Sequence, residues 1–391
     1  MGFIYPGLLP FSFKKQYILM KFNFRKYSLV ALASAALLSS CSSSDGESAP
    51  ADTYDRDAMV AHYADNLIIP AYATFSAKAE AMHTAINAFA ATPTAVNLQA
   101  ARAAYLDAYT AWQDASVFEF GPASDQLLRT NLNIYPTSSA EIEANITAGT
   151  YDLQAAANLD AKGFPALDYL LYNAADATLL EQYTNAANAA KRKKYLQDVS
   201  ALIKQRAAAT YQGWTNGGYT STFKQAKGTA VGSAIGSLVN ELNQDIDNTK
   251  RNKIGFPSGR FSQGTTLPDR VEAYYSQSFS LELLKRSIKA EKAVFMGMTT
   301  NGTNGPGLDD YLDYVKAPYG QGLLSDAIEQ QFDAALAAVN AIQEPLVQAV
   351  NTQPQAVTKA YDELQKLIVL TKTDMPSALG VTITYNDSDG D

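Results

Sequence analysis

Apolar residues recur every three or four positions along most of this 391-residue chain, and this spacing restricts the fold more than any other feature. The clearest run lies between residues 57 and 89. Its apolar members would share one face of a helix: Met59, Tyr63, Leu67, Tyr72, Phe75, Ala79, Met82, Ile86 and Phe89. Similar runs return between breaks rich in Gly and Pro. The spacing therefore predicts an all-α protein.

The breaks also indicate how the helices are grouped. A loop near residues 213–228 separates two long helical regions, and a chain of this length is long enough for two domains. We expect an N-terminal helical domain over residues 54–220 and a C-terminal helical bundle domain over residues 221–391.

The overall charge is acidic. The formal net charge is −8, and the basic residues form no stripe along the chain. Proteins that bind nucleic acid neutralise phosphates with clustered Lys and Arg. We therefore expect no nucleic acid partner.

The N-terminal segment carries the pattern of a bacterial signal sequence. Basic residues from Lys21 onward precede a short apolar stretch that ends in Leu38-Ser39-Ser40-Cys41, which is similar to a lipobox. We interpret residues 1–40 as a signal peptide with an upstream extension, and residues 41–53 as a tether. A lipid on Cys41 would make the membrane a partner and would place the protein in the cell envelope, as an outer-membrane lipoprotein of a Gram-negative bacterium. A plain secretory signal is the alternative.

A carboxylate stands in an otherwise apolar helix entry, KGFPALDYLLY, at residues 162–172. Asp168, with Tyr169 and Tyr172 beside it, could face a ligand, because hard cations take carboxylate oxygen as a ligand. An acid near the start of a helix also complements the helix dipole, so capping of its own helix is the alternative.

Several segments together resemble the imelysin family, also called peptidase M75. They cover most of residues 54–391 and include Phe118-Glu119-Phe120-Gly121-Pro122, Arg129-Thr130-Asn131-Leu132-Asn133-Ile134-Tyr135-Pro136, the stretch at 163–171, Lys253-Ile254-Gly255-Phe256-Pro257 and Val271-Glu272-Ala273-Tyr274-Tyr275-Ser276. The resemblance implies an all-helical fold of two domains in the cell envelope. It also implies an association with iron uptake and a site near the domain interface.

The family signature is Gly-x-His-x-x-Glu, and this chain departs from it. Gly163 is kept, Pro165 stands in the place of the His, and Asp168 stands in the place of the Glu. A proline side chain cannot bind a metal, and a zinc hydrolase needs about three protein ligands, usually with His among them. Only His62 and His83 are present in the whole chain, and we expect both to be structural.

Two further groups of candidate ligand-binding residues come from the segments that carry the resemblance. The first is Arg129, Asn133 and Tyr135, and the alternative is that Arg129 pairs with a neighbouring acid. The second is Lys253, Glu272 and Ser276, for which the alternative is pairing at the surface.

Three functions follow from these observations. The first is a non-enzymatic binding protein that supports iron or other ligand uptake, with iron or another cation as the candidate cofactor. The second is a metallopeptidase, which the family label implies. The third is a helical scaffold that docks an outer-membrane transporter.

Overall fold

The prediction of an all-α protein is confirmed. A computed structural model describes residues 53–343 and 345–385, and helices account for most of this part of the chain. The predicted signal peptide, the tether up to residue 52, Cys41 and the last six residues lie outside the described residues.

The first half of the described chain is a set of antiparallel helices with short connections. Helix α2 packs along both α3 and α9, and α7 packs against α9. The helices are α1 (Arg56–His62), α2 (Ile69–Ala91), α3 (Ala95–Ala115), α4 (Pro122–Asp125), α5 (Leu128–Leu132), α6 (Ser139–Ala148), α7 (Gly163–Tyr172), α8 (Asp176–Thr184) and α9 (Ala189–Thr215).

The second half adds eight helices and a short hairpin of strands β1 (Pro318–Tyr319) and β2 (Gly322–Leu323). Helix α12 packs on α3, α11 and α14, and so connects the two halves. The helices are α10 (Tyr219–Gln225), α11 (Ala234–Asn248), α12 (Ser280–Phe295), α13 (Leu308–Tyr314), α14 (Leu324–Asn340), α15 (Leu346–Thr352), α16 (Pro354–Val369) and α17 (Met375–Leu379). From Tyr54 onward the chain forms one compact unit, and the division near residue 220 stays a prediction.

Three π-helical segments interrupt the regular helices, at Tyr63–Ile68, Thr249–Gly255 and Leu370–Asp374. The first joins α1 to α2, so Pro70 lies in the first turn of α2. There its missing N–H costs little. The second segment extends α11 and carries Lys253. Segments of this kind occur often at functional sites.

The sequence pattern was wrong about the length of α12. The apolar spacing between residues 268 and 295 predicts one continuous helix, but α12 begins only at Ser280. Residues 271–279 form a loop in which Ala273 and Gln277 both have a φ of 56°. Non-glycine residues rarely adopt this left-handed conformation, and it cannot continue an α-helix. This loop carries Glu272 and Ser276.

The expected core residues are buried. Trp112, Phe118 and Phe120 all belong to the central apolar cluster. The two histidines are held by hydrogen bonds within the protein: His62 Nε2 lies 2.7 Å from the Gly297 carbonyl oxygen, and His83 Nδ1 lies 2.9 Å from the Ser200 hydroxyl.

Candidate functional site

Glu272 is the centre of a buried hydrogen-bond network. It is 2% exposed. Its Oε1 accepts from the Asn133 amide at 2.8 Å, the Tyr109 hydroxyl at 3.0 Å and the Gln113 amide at 3.3 Å. Its Oε2 pairs with the Lys253 ammonium. A buried charge is tolerated only with such partners. These bonds hold the loop that carries Glu272 against α3 and against the π-helical segment Thr249–Gly255.

Arg129 forms a second centre beside this network. One of its terminal nitrogens lies 2.7 Å from Glu241 and 3.1 Å from Asp245, and the other lies 3.2 Å from Glu119. Burial alone would lower the pKa of Arg129, but the three carboxylates outweigh it and raise that pKa. Arg129 therefore stays charged and holds acids from two different parts of the chain.

The network contains more acid than base. Burial raises the pKa of Glu241 to about 7 although Arg129 lies beside it. Burial raises the pKa of Glu291 further above its usual range, and the nearby charge of Asp245 adds to that rise. The Thr249 hydroxyl donates to Glu291 at 2.6 Å. Burial and the neighbouring Asp245 thus both favour the neutral form of Glu291.

Asp168 does not cap its own helix. Its carboxylate accepts from the backbone N–H of Tyr275 at 2.7 Å and of Ser276 at 3.2 Å, both in the loop at 271–279. It is 1% exposed and has no ion-pair partner among the described residues. Burial raises its pKa to about 6, although these hydrogen bonds work in the opposite direction.

Gly163 is the glycine that this geometry requires. Its φ is 76°, and a Cβ at this position would lie 2.3 Å from the carbonyl oxygen of Leu132. Any other residue would strain the backbone and push α7 away from α5. The Gly of the signature thus sets the distance between Asp168 and the residues that follow α5.

Tyr135 lies where three cavities meet. A cavity of about 310 Å³ extends from it past Pro165 and Asp168 to Tyr274. A second, of about 270 Å³, lies toward Arg129 and Asn252. The third, of about 40 Å³, reaches inward to Asp245 and Asn248. We call these three spaces, which share Tyr135 in their lining, the Tyr135 cleft.

Two polar groups of the cleft have donors that no described residue uses. The Tyr135 hydroxyl appears in no hydrogen bond with the described residues, and burial followed by the charge of Glu272 raises its pKa well above the usual range. The buried side-chain nitrogen of Asn248 also lacks a partner there. The cleft therefore offers hydrogen-bond donors, and a ligand with acceptor oxygens would satisfy both.

The residues present do not fit a resident metal ion. Within residues 53–343 and 345–385, no three or more His, Cys, Asp or Glu side chains are arranged to hold one. Of the acids that line the cleft, Asp245 is bound to Arg129 and Asp168 to backbone N–H groups, which leaves the exposed Asp269 as a single carboxylate without a described partner. Pro165, in the place of the signature His, contributes only apolar surface to the largest cavity.

Most of the predicted site residues converge on this cleft. Asp168, Arg129, Asn133, Tyr135 and Lys253 line it, Glu272 lies in the network behind it, and Gly163 lies against the Leu132 backbone at the start of α7. Ser276 takes part mainly through its backbone N–H. Tyr169 instead donates to Glu143 at 2.6 Å, and Tyr172 stacks under Arg102 at 4.5 Å. These last two are outside the lining of the cleft.

Sequence reasoning missed the inner acids and amides. These residues, none of them among the predicted site residues, are Gln113, Glu241, Asp245, Asn248 and Glu291. One signal was available: Glu241 and Asp245 are four residues apart, so both lie on one face of α11. Their burial depends on Arg129, which is more than 100 residues away.

Comparisons with known proteins agree with this fold. The family model described as imelysin, peptidase M75, matches residues 68–371. The chain belongs to the imelysin family. A curated relative is iron-regulated protein A of Synechococcus elongatus, which is 25% identical over 323 residues, 78% of this chain and 84% of the relative.

Two solved structures share the fold of this imelysin. An iron-regulated protein A precursor from Parabacteroides distasonis has a TM-score of 0.69 and 19% identity, with 83% of this chain and 95% of that chain covered. An imelysin-like protein from Psychrobacter arcticum has a TM-score of 0.64 and 19% identity, with 84% and 97% covered. Among the described residues, no helix combines the length and the apolar character that crossing a bilayer would require.

Proposed function

We propose that this imelysin is a cell-envelope binding protein that takes an iron chelate, rather than a bare iron ion, into the Tyr135 cleft and so supports iron acquisition. One observation carries the proposal: segments far apart in sequence converge on a cleft that leaves the Tyr135 hydroxyl unused. The names of the relative and of one structural neighbour refer to iron regulation.

The chemistry of the cleft favours a chelate. A bare ferric ion would need several carboxylate or phenolate ligands. Here Asp168 and Asp245 are occupied and only Asp269 is left as a carboxylate, while the raised pKa of Tyr135 favours its protonated phenol. A chelate already supplies the ligands of the iron and presents outer oxygen atoms. The Tyr135 hydroxyl and the Asn248 amide can donate hydrogen bonds to such atoms.

Calorimetric titration of the chain from residue 54 onward tests this proposal with ferric citrate, citrate alone, haem and manganese(II) chloride. Ferric citrate should bind one to one. Binding of manganese alone would show that the cleft takes bare cations, and it would contradict the proposal that the ligand is a chelate. If none of the probes binds, the binding function itself is wrong.

Asp168→Ala should weaken the binding of ferric citrate, because it releases the loop at 271–279 from α7. A matched control is Asp326→Ala, which removes an exposed acid from the first turn of α14. Equal affinity in the two variants would show that this loop does not shape the site.

We further propose that Cys41 carries the lipid anchor that holds the protein at the outer membrane. Mass spectrometry of the protein from membranes should find a diacylglyceryl group on Cys41, and Cys41→Ala should release the protein into the soluble fraction. A Cys41→Ala variant that stays in the membrane would contradict the anchor.

Two assays separate this proposal from its alternatives. A peptidase would cleave denatured protein substrates and would lose that activity with a chelator, whereas we expect no cleavage. A transporter scaffold would co-purify with an outer-membrane transporter while binding none of the small probes.

A further inference from the structure

Another cavity, separate from the Tyr135 cleft, is lined by other residues of α3 and α12. It has a volume of about 200 Å³. Buried apolar side chains form its floor: Leu67, Ala71, Phe118, Ala290 and Val294. We call it the apolar cavity. Its floor includes a residue of the first π-helical segment, Leu67, and its outer wall is the loop after α12.

The rim of the apolar cavity is cationic. Arg286 pairs with Asp114, so these two charges balance each other. Lys289 is exposed at the same rim and has no ion pair with any described residue. The rim therefore carries one net positive charge above an apolar floor. Such a cavity is complementary to a ligand that has a negative charge and an apolar group.

The two sites share their supporting helices. Asp114 faces the apolar cavity, whereas its neighbour Gln113 bonds Glu272. In the same way Arg286 lies at the rim and the next residue, Ser287, donates to Gln113 at 2.8 Å. The apolar cavity is thus a separate site, lined by different faces of the helices that hold the network.

We propose that the apolar cavity binds a small carboxylate that carries an aryl or short alkyl group, with the carboxylate beside Lys289 and the apolar group on the floor. The volume fits this class, because an apolar cavity of about 150 Å³ accommodates benzene. Arg286 supplies a second donor at the rim while Asp114 holds it in place. This inference goes beyond the proposed function, since it concerns a different ligand at a different place.

The test uses 3-phenylpropionate, its neutral amide and the corresponding amine, titrated into the chain from residue 54 onward by calorimetry. The acid should bind, the amide should bind more weakly and the amine more weakly still. Lys289→Gln should lower the affinity for the acid by about two- to fivefold, as expected for a solvent-exposed ion pair. The affinity for the amide should stay unchanged.

Two variants complete the design. Ala293→Phe fills the cavity and should abolish binding of both acid and amide. Lys285→Gln is the matched control, since Lys285 pairs with Glu282 at 2.8 Å one turn away and does not line the cavity. Asp168→Ala should leave binding of the acid intact, which separates this site from the Tyr135 cleft.

Three results would overturn the inference: no binding of the acid at millimolar concentration, equal binding of acid and amine, or an Ala293→Phe variant that binds as the wild type does. Should Ala293→Phe fail to fold, Lys289→Gln decides alone, because it changes an exposed side chain. Equal affinity of Lys289→Gln and wild type for the acid would then refute the assignment.

Discussion

Asp168→Asn tests whether a buried carboxylate without a cation governs the stability of the site. The wild-type side chain is 1% exposed, and its carboxylate accepts from the N–H groups of Tyr275 and Ser276. Asparagine has the shape of the protonated acid and keeps one carbonyl acceptor for these donors. The substitution therefore removes the buried charge and little else.

The magnitude follows from the pKa of Asp168, which burial raises from 3.8 to about 6. Between these two values the folded protein holds a proton that the unfolded chain has released. The wild type therefore loses stability as the pH rises through this window, and the loss is complete above about pH 6. A shift of this size corresponds to about 3 kcal/mol.

Urea unfolding at pH 4, 5, 6 and 7.5 measures the effect. The free energy of unfolding of Asp168→Asn, minus that of the wild type, should rise by about 2.5 kcal/mol from the lowest to the highest pH. Asp168→Ala should show the same pH trend. Its free energy of unfolding should be about 1–3 kcal/mol below that of Asp168→Asn at every pH, because two buried N–H groups lose their acceptor.

A difference between Asp168→Asn and wild type that stays constant across this range would refute the reasoning. It would mean that Asp168 titrates alike in the folded and unfolded protein, and so that it is solvated or paired in solution.

Three further predictions use thermal or urea unfolding. Gly163→Ala should lower the free energy of unfolding by more than about 2 kcal/mol. The control Gly218→Ala should lower it by only about 1 kcal/mol, because Gly218 has a similar φ of 79° but no atom within 4 Å of the added Cβ. Equal losses would contradict the close contact at Gly163. Glu291→Gln should change stability by less than about 1 kcal/mol because burial and Asp245 favour the neutral acid, which Gln resembles, whereas a large loss would show that a charge on Glu291 matters. Arg129→Met should lower the free energy of unfolding by about 3–5 kcal/mol, because it leaves buried acids unpaired. The control Arg260→Met removes an exposed ion pair and should lower it by less than about 1 kcal/mol. Similar losses would argue against a buried network.

The helical fold and part of the site could be predicted from local sequence. Apolar spacing identified the long helices, and Ser138 caps α6 through the Glu141 N–H at 3.2 Å, as its capping pattern indicated. Gly163 and Asp168 were candidates because they stand at the Gly and Glu positions of the signature that the resemblance to the imelysin family implies.

The rest of the site depends on contacts that no local pattern encodes. The loop at 271–279 has helical spacing in its sequence, but Asp168, more than 100 residues earlier, binds its N–H groups and stabilises the loop. The burial of Glu241 and Asp245 likewise requires Arg129 from another part of the chain. Tertiary packing decides such cases over local preference.

Tyr135→Phe tests the central claim most directly, because the Tyr135 hydroxyl makes no hydrogen bond with the described residues and its loss should leave the fold intact. Calorimetry with ferric citrate should give an affinity about tenfold lower for Tyr135→Phe than for the wild type, as expected for one lost hydrogen bond of about 1.5 kcal/mol. The two proteins should unfold at the same temperature. Equal affinities would contradict the assignment of the Tyr135 cleft as the ligand site.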